Sequence, residues 1–269
     1  MKDIARSNGK TALITGASAG FGAEFAEVFA REGYDLLLVA RSEERLKAVS
    51  SKVNSTYGRK VKILALDLTT EDSGKKVFAW AQKQAPSVDC LVNNAGIGNY
   101  GRFAEIPLEK ERELLELNIG VLTELCHRFI PLMIKQGGGR ILNVASLAAF
   151  QAGAYYATYY ASKAYVLLFT EALGLEYKKD KVIISALCPG PSPTSFFEKS
   201  KMADTSWLFR TQMIPPKQVA EAGYKGLMAG RDIIIPSKKY FIVPLSARLF
   251  PRWLMARINK RLVEIIAKG

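Results

Sequence analysis

The sequence predicts an α/β fold: one doubly wound, mainly parallel, seven-stranded sheet with helices on both faces. Three observations carry this. Six short runs are apolar almost throughout, longer amphipathic stretches separate them, and the connections between the two kinds are short. Runs without polar alternation are what strands buried on both faces require. Strand and helix in strict alternation make right-handed βαβ units and hence a parallel sheet.

In chain order, the strand-like runs are TALITG (11–16), YDLLLVA (34–40), VKILALD (61–67), DCLVNNAG (89–96), RILNVAS (140–146) and VIISALCPG (182–190), with a short seventh at 233–235. Between them, apolar residues recur three and four apart over 20–32, 43–57, 71–85, 108–136 and 157–179, the spacing of helices with one buried face. There is no internal repeat and no linker-like tract. The whole chain, 1–269, therefore reads as one domain, with a lid over about 191–215 and a basic amphipathic helix over about 251–268.

Composition narrows the class. About half of the 269 residues are apolar, enough for one large core. No run approaches the roughly 20 uninterrupted apolar residues of a membrane span, so a cytoplasmic protein is expected. Cys90, Cys126 and Cys188 lie far apart in apolar contexts and read as reduced, buried thiols, which fits that compartment. The formal charge of +13 is concentrated in the tail. From Pro236 onward Lys238, Lys239, Arg248, Arg252, Arg257, Lys260, Arg261 and Lys268 face Glu264 alone. No basic-aromatic pattern of a nucleic-acid module accompanies it, so no nucleic-acid partner is expected. No metal site is expected either, and the lone His127 sits well inside a helix, in a structural role.

Gly16, Gly20 and Gly22 follow the first strand and open the first helix. A turn without Cβ atoms lets backbone N–H groups and the positive helix end approach a pyrophosphate. The same spacing also serves a tight corner, but its place at the first strand and first helix of a doubly wound pattern is where dinucleotides bind. The second strand ends Val39, Ala40, Arg41, Ser42, with its only aspartate, Asp35, at the beginning. A terminal carboxylate would select NAD, whereas the Arg41 guanidinium and the Ser42 hydroxyl suit a 2′-phosphate. NADP(H) is the expected cofactor; the alternative is that Arg41 caps a surface turn.

YYATYYASK (155–163) places four tyrosines ahead of a lysine. Tyr159 and Lys163 are four apart on one helix face, and Tyr160 and Lys163 are three apart, so spacing leaves both pairs open. A free phenol titrates near 10. A cation about 4 Å away at an effective dielectric of about 20 favours phenolate by about 4 kcal/mol, roughly three pKa units before desolvation opposes it. The expectation is a phenol brought into working range by the ammonium.

GASAGFG after the first strand, NNAG at 93–96, Asn118, Ser146 at the end of RILNVAS, YYASK at 159–163 and Pro189–Gly190 together resemble the short-chain dehydrogenase/reductase family over about residues 10–195. The resemblance implies a Rossmann-type fold and selects Tyr159 as acid/base. It implies that Lys163 lowers the pKa of that phenol and binds the nicotinamide ribose, that Ser146 holds the substrate oxygen, and that Asn118 holds a water behind Lys163. Gly16, Ser18, Gly20, Phe21 and Gly22 would surround the pyrophosphate. Asp67 and Leu68 would contact adenine; Asn94, Ala95 and Gly96 would line the ribose; Pro189, Gly190 and Thr194 would close over the nicotinamide. Family members commonly form dimers or tetramers through the two long helices, here 108–136 and 157–179.

The segment after Pro189–Gly190 carries Phe196, Phe197, Met202, Trp207, Leu208, Phe209 and Met213 and no cluster of cations. With Ser146 and Tyr155 it would receive a bulky hydrophobic ketone or alcohol, steroid-like first, the 3-oxoacyl carbonyl of a fatty chain second. Packing of this segment on its own core is the alternative. In the tail, Leu254, Met255, Ile258, Leu262, Ile265 and Ile266 share one arc of a helical wheel beside a cationic one. That helix docks on the domain or a second subunit, or makes weak contact with an anionic membrane surface. Besides an active reductase, the motifs leave a catalytically silent nucleotide sensor and a membrane-surface binding protein as rival functions.

Overall fold

In the computed structural model, which describes residues 9–193 and 213–268, seven parallel strands form one sheet in the order β3-β2-β1-β4-β5-β6-β7. The strands are β1 (Thr11–Thr15), β2 (Asp35–Ala40), β3 (Val61–Ala65), β4 (Cys90–Asn93), β5 (Gly139–Val144), β6 (Val182–Leu187) and β7 (Ile233–Ile234). The helices are α1 (Gly20–Arg31), α2 (Glu43–Tyr57), α3 (Ser73–Gln84), α4 (Leu108–Leu115), α5 (Val121–Lys135), α6 (Ala157–Glu176), α7 (Pro216–Met228), α8 (Ile242–Leu249) and α9 (Arg252–Lys268). All seven expected strands are present, within three residues of their expected ends.

The pleat divides the apolar side chains between two layers. Ala12 and Ile14 of β1 pack with Phe25 and Phe29 of α1, Leu46 and Val53 of α2, and Val219 and Leu227 of α7. Leu13, between them on the strand, points to the other side with Val77 of α3, Leu125 and Phe129 of α5, and Val166 of α6. Such two-sided burial is why the strand sequences carry no polar alternation.

Local signals set the helix ends. Ser42 caps α2, its Oγ accepting from the Arg45 N–H at 3.4 Å; Glu43 and Glu44 suit the positive end, and Gly58 closes the helix at φ 62°. The expected single helix over 108–136 is instead two helices joined by a π-turn at Glu116–Gly120. By length and composition alone the run 108–135 is long and apolar enough to cross a bilayer. Its Val121, Leu125, Phe129 and Met133 are fully or nearly fully buried, so its apolar face belongs to the core. The helices α7 and α8 have no counterpart among the sequence expectations.

The order of the strands fixes where a ligand can sit. After β3 the chain crosses to the far side of β1, so the turns leaving β1 and β4 diverge and open a crevice at their carboxyl ends.

Candidate active site

The glycine turn lines one wall of that crevice. Gly16 and Gly20 lie at φ 65° and 54°, conformations open to residues without a Cβ. A Cβ on Gly16 would lie 2.8 Å from Asn94 Nδ2, and one on Gly22 would collide with the Gly16 carbonyl oxygen and Asn94. The turn is therefore closed tightly over its own backbone at the start of α1, and Ala19 at the cap position offers no side chain to the helix N–H groups. Those donors are left for an anion. Ser18 is half-buried beside them, while the Phe21 ring packs on the core.

Thr15, which sequence reasoning missed, ties the two sides of the crevice together. Its hydroxyl accepts from the N–H groups of Asn94 at 3.0 Å and Ala95 at 3.1 Å, and the Asn94 amide donates to the Thr15 carbonyl at 2.9 Å. A threonine ending the first strand ahead of a glycine turn was the available signal.

Arg41 and Ser42 stand at the end of β2, as expected. The Arg41 guanidinium is exposed and 3.9 Å from Asp67 at the end of β3. The hydroxyl of Ser42 is used as acceptor by its helix cap and keeps its own proton to donate. At Asp67, burial raises the carboxyl; the Thr69 N–H at 2.9 Å, the Thr69 hydroxyl at 2.8 Å and Arg41 outweigh it, so the group lies below the usual carboxylate value. Leu68 is buried in the core, so its side chain does not face the crevice.

Deeper in, Gly96 brings three elements together: a Cβ there would lie 3.1 Å from Asn118 Oδ1 and 3.3 Å from Lys163 Nζ. Asn118 sits in the π-turn. Its amide donates to the Ile97 carbonyl and the Ser162 hydroxyl, both at 3.0 Å, and accepts from the Ile97 N–H at 3.0 Å. Both N–H donors of the side chain are thus engaged with protein, and Asn118 braces the β4 loop against α6. Ser162, also missed from sequence, passes the brace on, its hydroxyl donating to the Tyr159 carbonyl at 2.7 Å.

The structure separates the tyrosines that spacing left equivalent. The Tyr159 ring faces Lys163, whose Nζ is 5.9 Å from its centroid, and its phenol is hydrogen-bonded with the Ser146 side chain. Ser146, two residues beyond β5, is extended and also accepts from the Ala148 N–H at 3.1 Å. Tyr160 turns the other way, its ring against Gly153 and its hydroxyl bonded with Asn259 of α9. Tyr156 is buried and touches both rings, while Tyr155, at φ 64°, donates to Glu264 of α9 at 2.9 Å. Tyr155, expected in the substrate pocket, thus has its hydroxyl engaged by the C-terminal helix.

One expectation is reversed. Lys163 is buried and donates to the Val144 carbonyl at 2.9 Å. Burial lowers it from 10.5 to about 8, outweighing the opposing influence of Cys188. Burial likewise raises Tyr159 to about 12, against the hydrogen bond from Ser146. The ammonium therefore does not bring the phenol down to neutral range here; desolvation is the largest influence on both groups and outweighs the rest.

Pro189 is buried and its carbonyl accepts from the Leu147 N–H at 3.0 Å, while Gly190 admits the Tyr240 ring against its backbone. The Ser192 hydroxyl donates to the Ile214 carbonyl at 2.6 Å. Thr194, Phe196, Phe197 and Trp207, and with them most of the expected lid, lie outside the described residues. The described residues include no group of His, Cys, Asp and Glu able to hold a metal.

Comparisons with known proteins agree with this geometry. A family model described as short chain dehydrogenase matches residues 10–204. A ketoacyl reductase of Nostoc is 35% identical over 182 residues, 68% of this chain and 63% of the relative. The human 17-beta-hydroxysteroid dehydrogenase type 3 is 34% identical over 192 residues, 70% of this chain and 61% of the relative. In both, the match spans less than two thirds of the relative's length. A short-chain dehydrogenase from Sphingobium yanoikuyae, solved with NADPH, superposes with a TM-score of 0.80 at 30% identity over 91% of this chain and 95% of its own.

Proposed function

The chain belongs to the short chain dehydrogenase family and is an oxidoreductase of that family; from this premise we propose that it interconverts a hydrophobic ketone and a secondary alcohol with NADP(H). The observation that carries the reading is the hydrogen-bonded pair of Ser146 and Tyr159, backed by a buried Lys163 deep in a glycine-lined crevice.

The residues at the crevice fit a dinucleotide. The Gly16–Gly22 turn has no Cβ to keep a pyrophosphate away, the first turn of α1 is uncapped, and Arg41 presents an exposed cation where an adenosine 2′-phosphate would lie. When bound, NADPH supplies the hydride for the carbonyl carbon. This chain supplies the rest. Ser146 and Tyr159 donate hydrogen bonds to the substrate oxygen, and Tyr159 gives up its proton as negative charge develops there. A phenol raised to about 12 holds that proton throughout the neutral range and still surrenders it to an alkoxide, which is more basic. Lys163, near 8, is charged at neutral pH and is the proton donor this reading assigns to restoring the phenol. Asn118 and Ser162 hold Lys163 and Tyr159 in register from behind.

The substrate is read as a hydroxysteroid-type ketone, on the apolar character of the expected lid and the likeness to a hydroxysteroid dehydrogenase. A 3-oxoacyl thioester is the second reading, favoured by the likeness to a ketoacyl reductase. Exposed Leu168 and Leu175 of α6 and Leu115 of α4 support a homo-oligomer formed through the long helices. Three free, buried thiols support a cytoplasmic enzyme.

The test is a pair of variants screened with hydroxysteroids, 3-oxoacyl thioesters and simple ketones. Tyr159→Phe keeps NADPH binding by fluorescence titration and loses turnover by about 1,000-fold or more. Tyr160→Phe keeps turnover. Equal losses in the two, or turnover surviving in the first, refute the assignment.

A further inference from the structure

The helix α8 is built inside out. Its inward positions carry the small residues Val243, Pro244, Ser246 and Ala247, while Ile242, Leu245 and Leu249 are 67%, 55% and 69% exposed. Phe241 before it and Phe250 after it are exposed too, and so is Trp253 in the first turn of α9. A water-facing helix ordinarily shows the opposite arrangement, and an exposed apolar run of this size marks a contact surface.

The charge around it has one sign. Between Asp232 and Glu264 the chain carries Lys238, Lys239, Arg248, Arg252, Arg257, Lys260 and Arg261 and no carboxylate. Arg248, Arg252 and Arg261 make no ion pair among the described residues. Arg257 lies over the Trp253 ring at 5.0 Å, placing a cation beside the residue type most at home at a membrane interface.

The elbow is anchored from within. Tyr240 packs against Gly190, the Asn259 amide donates to the Ala152 carbonyl at 2.8 Å, and Glu264 accepts from Tyr155. Asn259 and Val263 form the buried side of α9, so Ile258 and Leu262 face outward, contrary to the expectation that they share the docking arc. The anchoring side and the exposed apolar side are thus different sides of the same helix.

We propose that the α8–α9 elbow, from Lys238 to Leu262, is a docking surface for an anionic lipid bilayer, with Ile242, Leu245, Leu249 and Trp253 entering the interface and the surrounding cations meeting lipid phosphates. A second copy of the chain is disfavoured as occupant, because pairing two such surfaces brings seven cations against seven. A nucleic acid would satisfy the cations and leave the aliphatic face of α8 in water. The inference rests on exposure and charge and not on turnover, so failure of the Tyr159 assay leaves it standing.

The test is co-sedimentation of the full chain with phosphatidylcholine vesicles with and without phosphatidylglycerol, at low and raised salt. Binding is expected only with phosphatidylglycerol and weakens with salt. The triple variant Ile242→Ser, Leu245→Ser, Leu249→Ser, altered only at exposed positions, keeps its circular dichroism and NADPH binding and loses vesicle affinity about 100-fold. Arg252→Glu with Arg257→Glu costs about tenfold or more. The proposal is overturned if wild type fails to bind anionic vesicles at low salt, if neutral vesicles bind equally, or if the triple variant binds undiminished. It is also overturned if the triple substitution breaks an oligomer in sedimentation velocity, or if duplex DNA displaces the vesicles and binds the triple variant as tightly as wild type.

Discussion

Replacing Lys163 with methionine should make the protein more stable at neutral pH while destroying its activity. The amine is buried and falls from 10.5 to about 8. At pH 7 it is charged in both folded and unfolded chains, and keeping it so inside the fold costs about 3 kcal/mol. Methionine has nearly the same length and no charge, but it withdraws the hydrogen bond to Val144, worth about 1 kcal/mol. The net is about 2 kcal/mol, or a melting temperature about 5 °C higher for a chain of this size. The sign follows from linkage. Between about 8 and 10.5 the unfolded chain holds a proton that the folded one has released, so this lysine's contribution grows more favourable as pH rises through that window. By about pH 10 the advantage of the variant is gone. Cys90, Cys126 and Cys188, each pushed up to about 12 by burial, act oppositely above pH 9, the usual thiol value. The quantity to measure is therefore the difference between wild type and variant, in urea unfolding at matched pH, where the thiols cancel. A variant less stable than wild type at pH 7, or a difference that does not change with pH, refutes the buried-cation account.

Two other perturbations probe the crevice and its outer wall. Arg41→Ala should weaken NADPH binding by about tenfold or more and leave NADH nearly unchanged, read by fluorescence titration; an unaltered preference removes Arg41 as the phosphate ligand. Asn259→Ala frees the loop at Ala152 and the hydroxyl of Tyr160, and should cost about 1 to 3 kcal/mol of stability. It should also raise KM for bulky ketones more than it lowers kcat. An unchanged KM with unchanged stability would show that the helix does not support the wall.

The parts legible in the sequence are those that depend on neighbours along the chain. Strands buried on both faces, the glycine turn and the Tyr159–Lys163 spacing are local patterns, and they gave the sheet, the crevice and the pairing of the two residues. What was not legible depends on partners distant in sequence. The break at Asn118 is only faintly signalled by Gly120 at the end of the turn; the bonds that hold it, from the Asn118 amide to the Ile97 carbonyl and the Ser162 hydroxyl, reach residues distant in sequence. The inward face of α9 was misassigned because a wheel ranks Asn259 as polar and outward, whereas the Ala152 carbonyl gives it a buried partner. The phenol's acidity was misjudged for a related reason: a cation four residues away is visible in the sequence, and the desolvation that the fold imposes on the two groups is not. Helix α8 escaped notice because its large apolar residues face water, the reverse of what periodicity assumes.

The strand order also has a consequence for biosynthesis. β1 lies inside the sheet between β2 and β4, and Ala12 pairs with Cys90, 78 residues further on. At ordinary translation speeds the inner edge of β1 waits about 4 to 16 s for its neighbour, an open apolar rim on a half-made chain. Ribosome-bound chains arrested before β4 emerges should accordingly be digested by a mild protease and captured by hydrophobic-surface dyes. Those arrested after β5 should resist both.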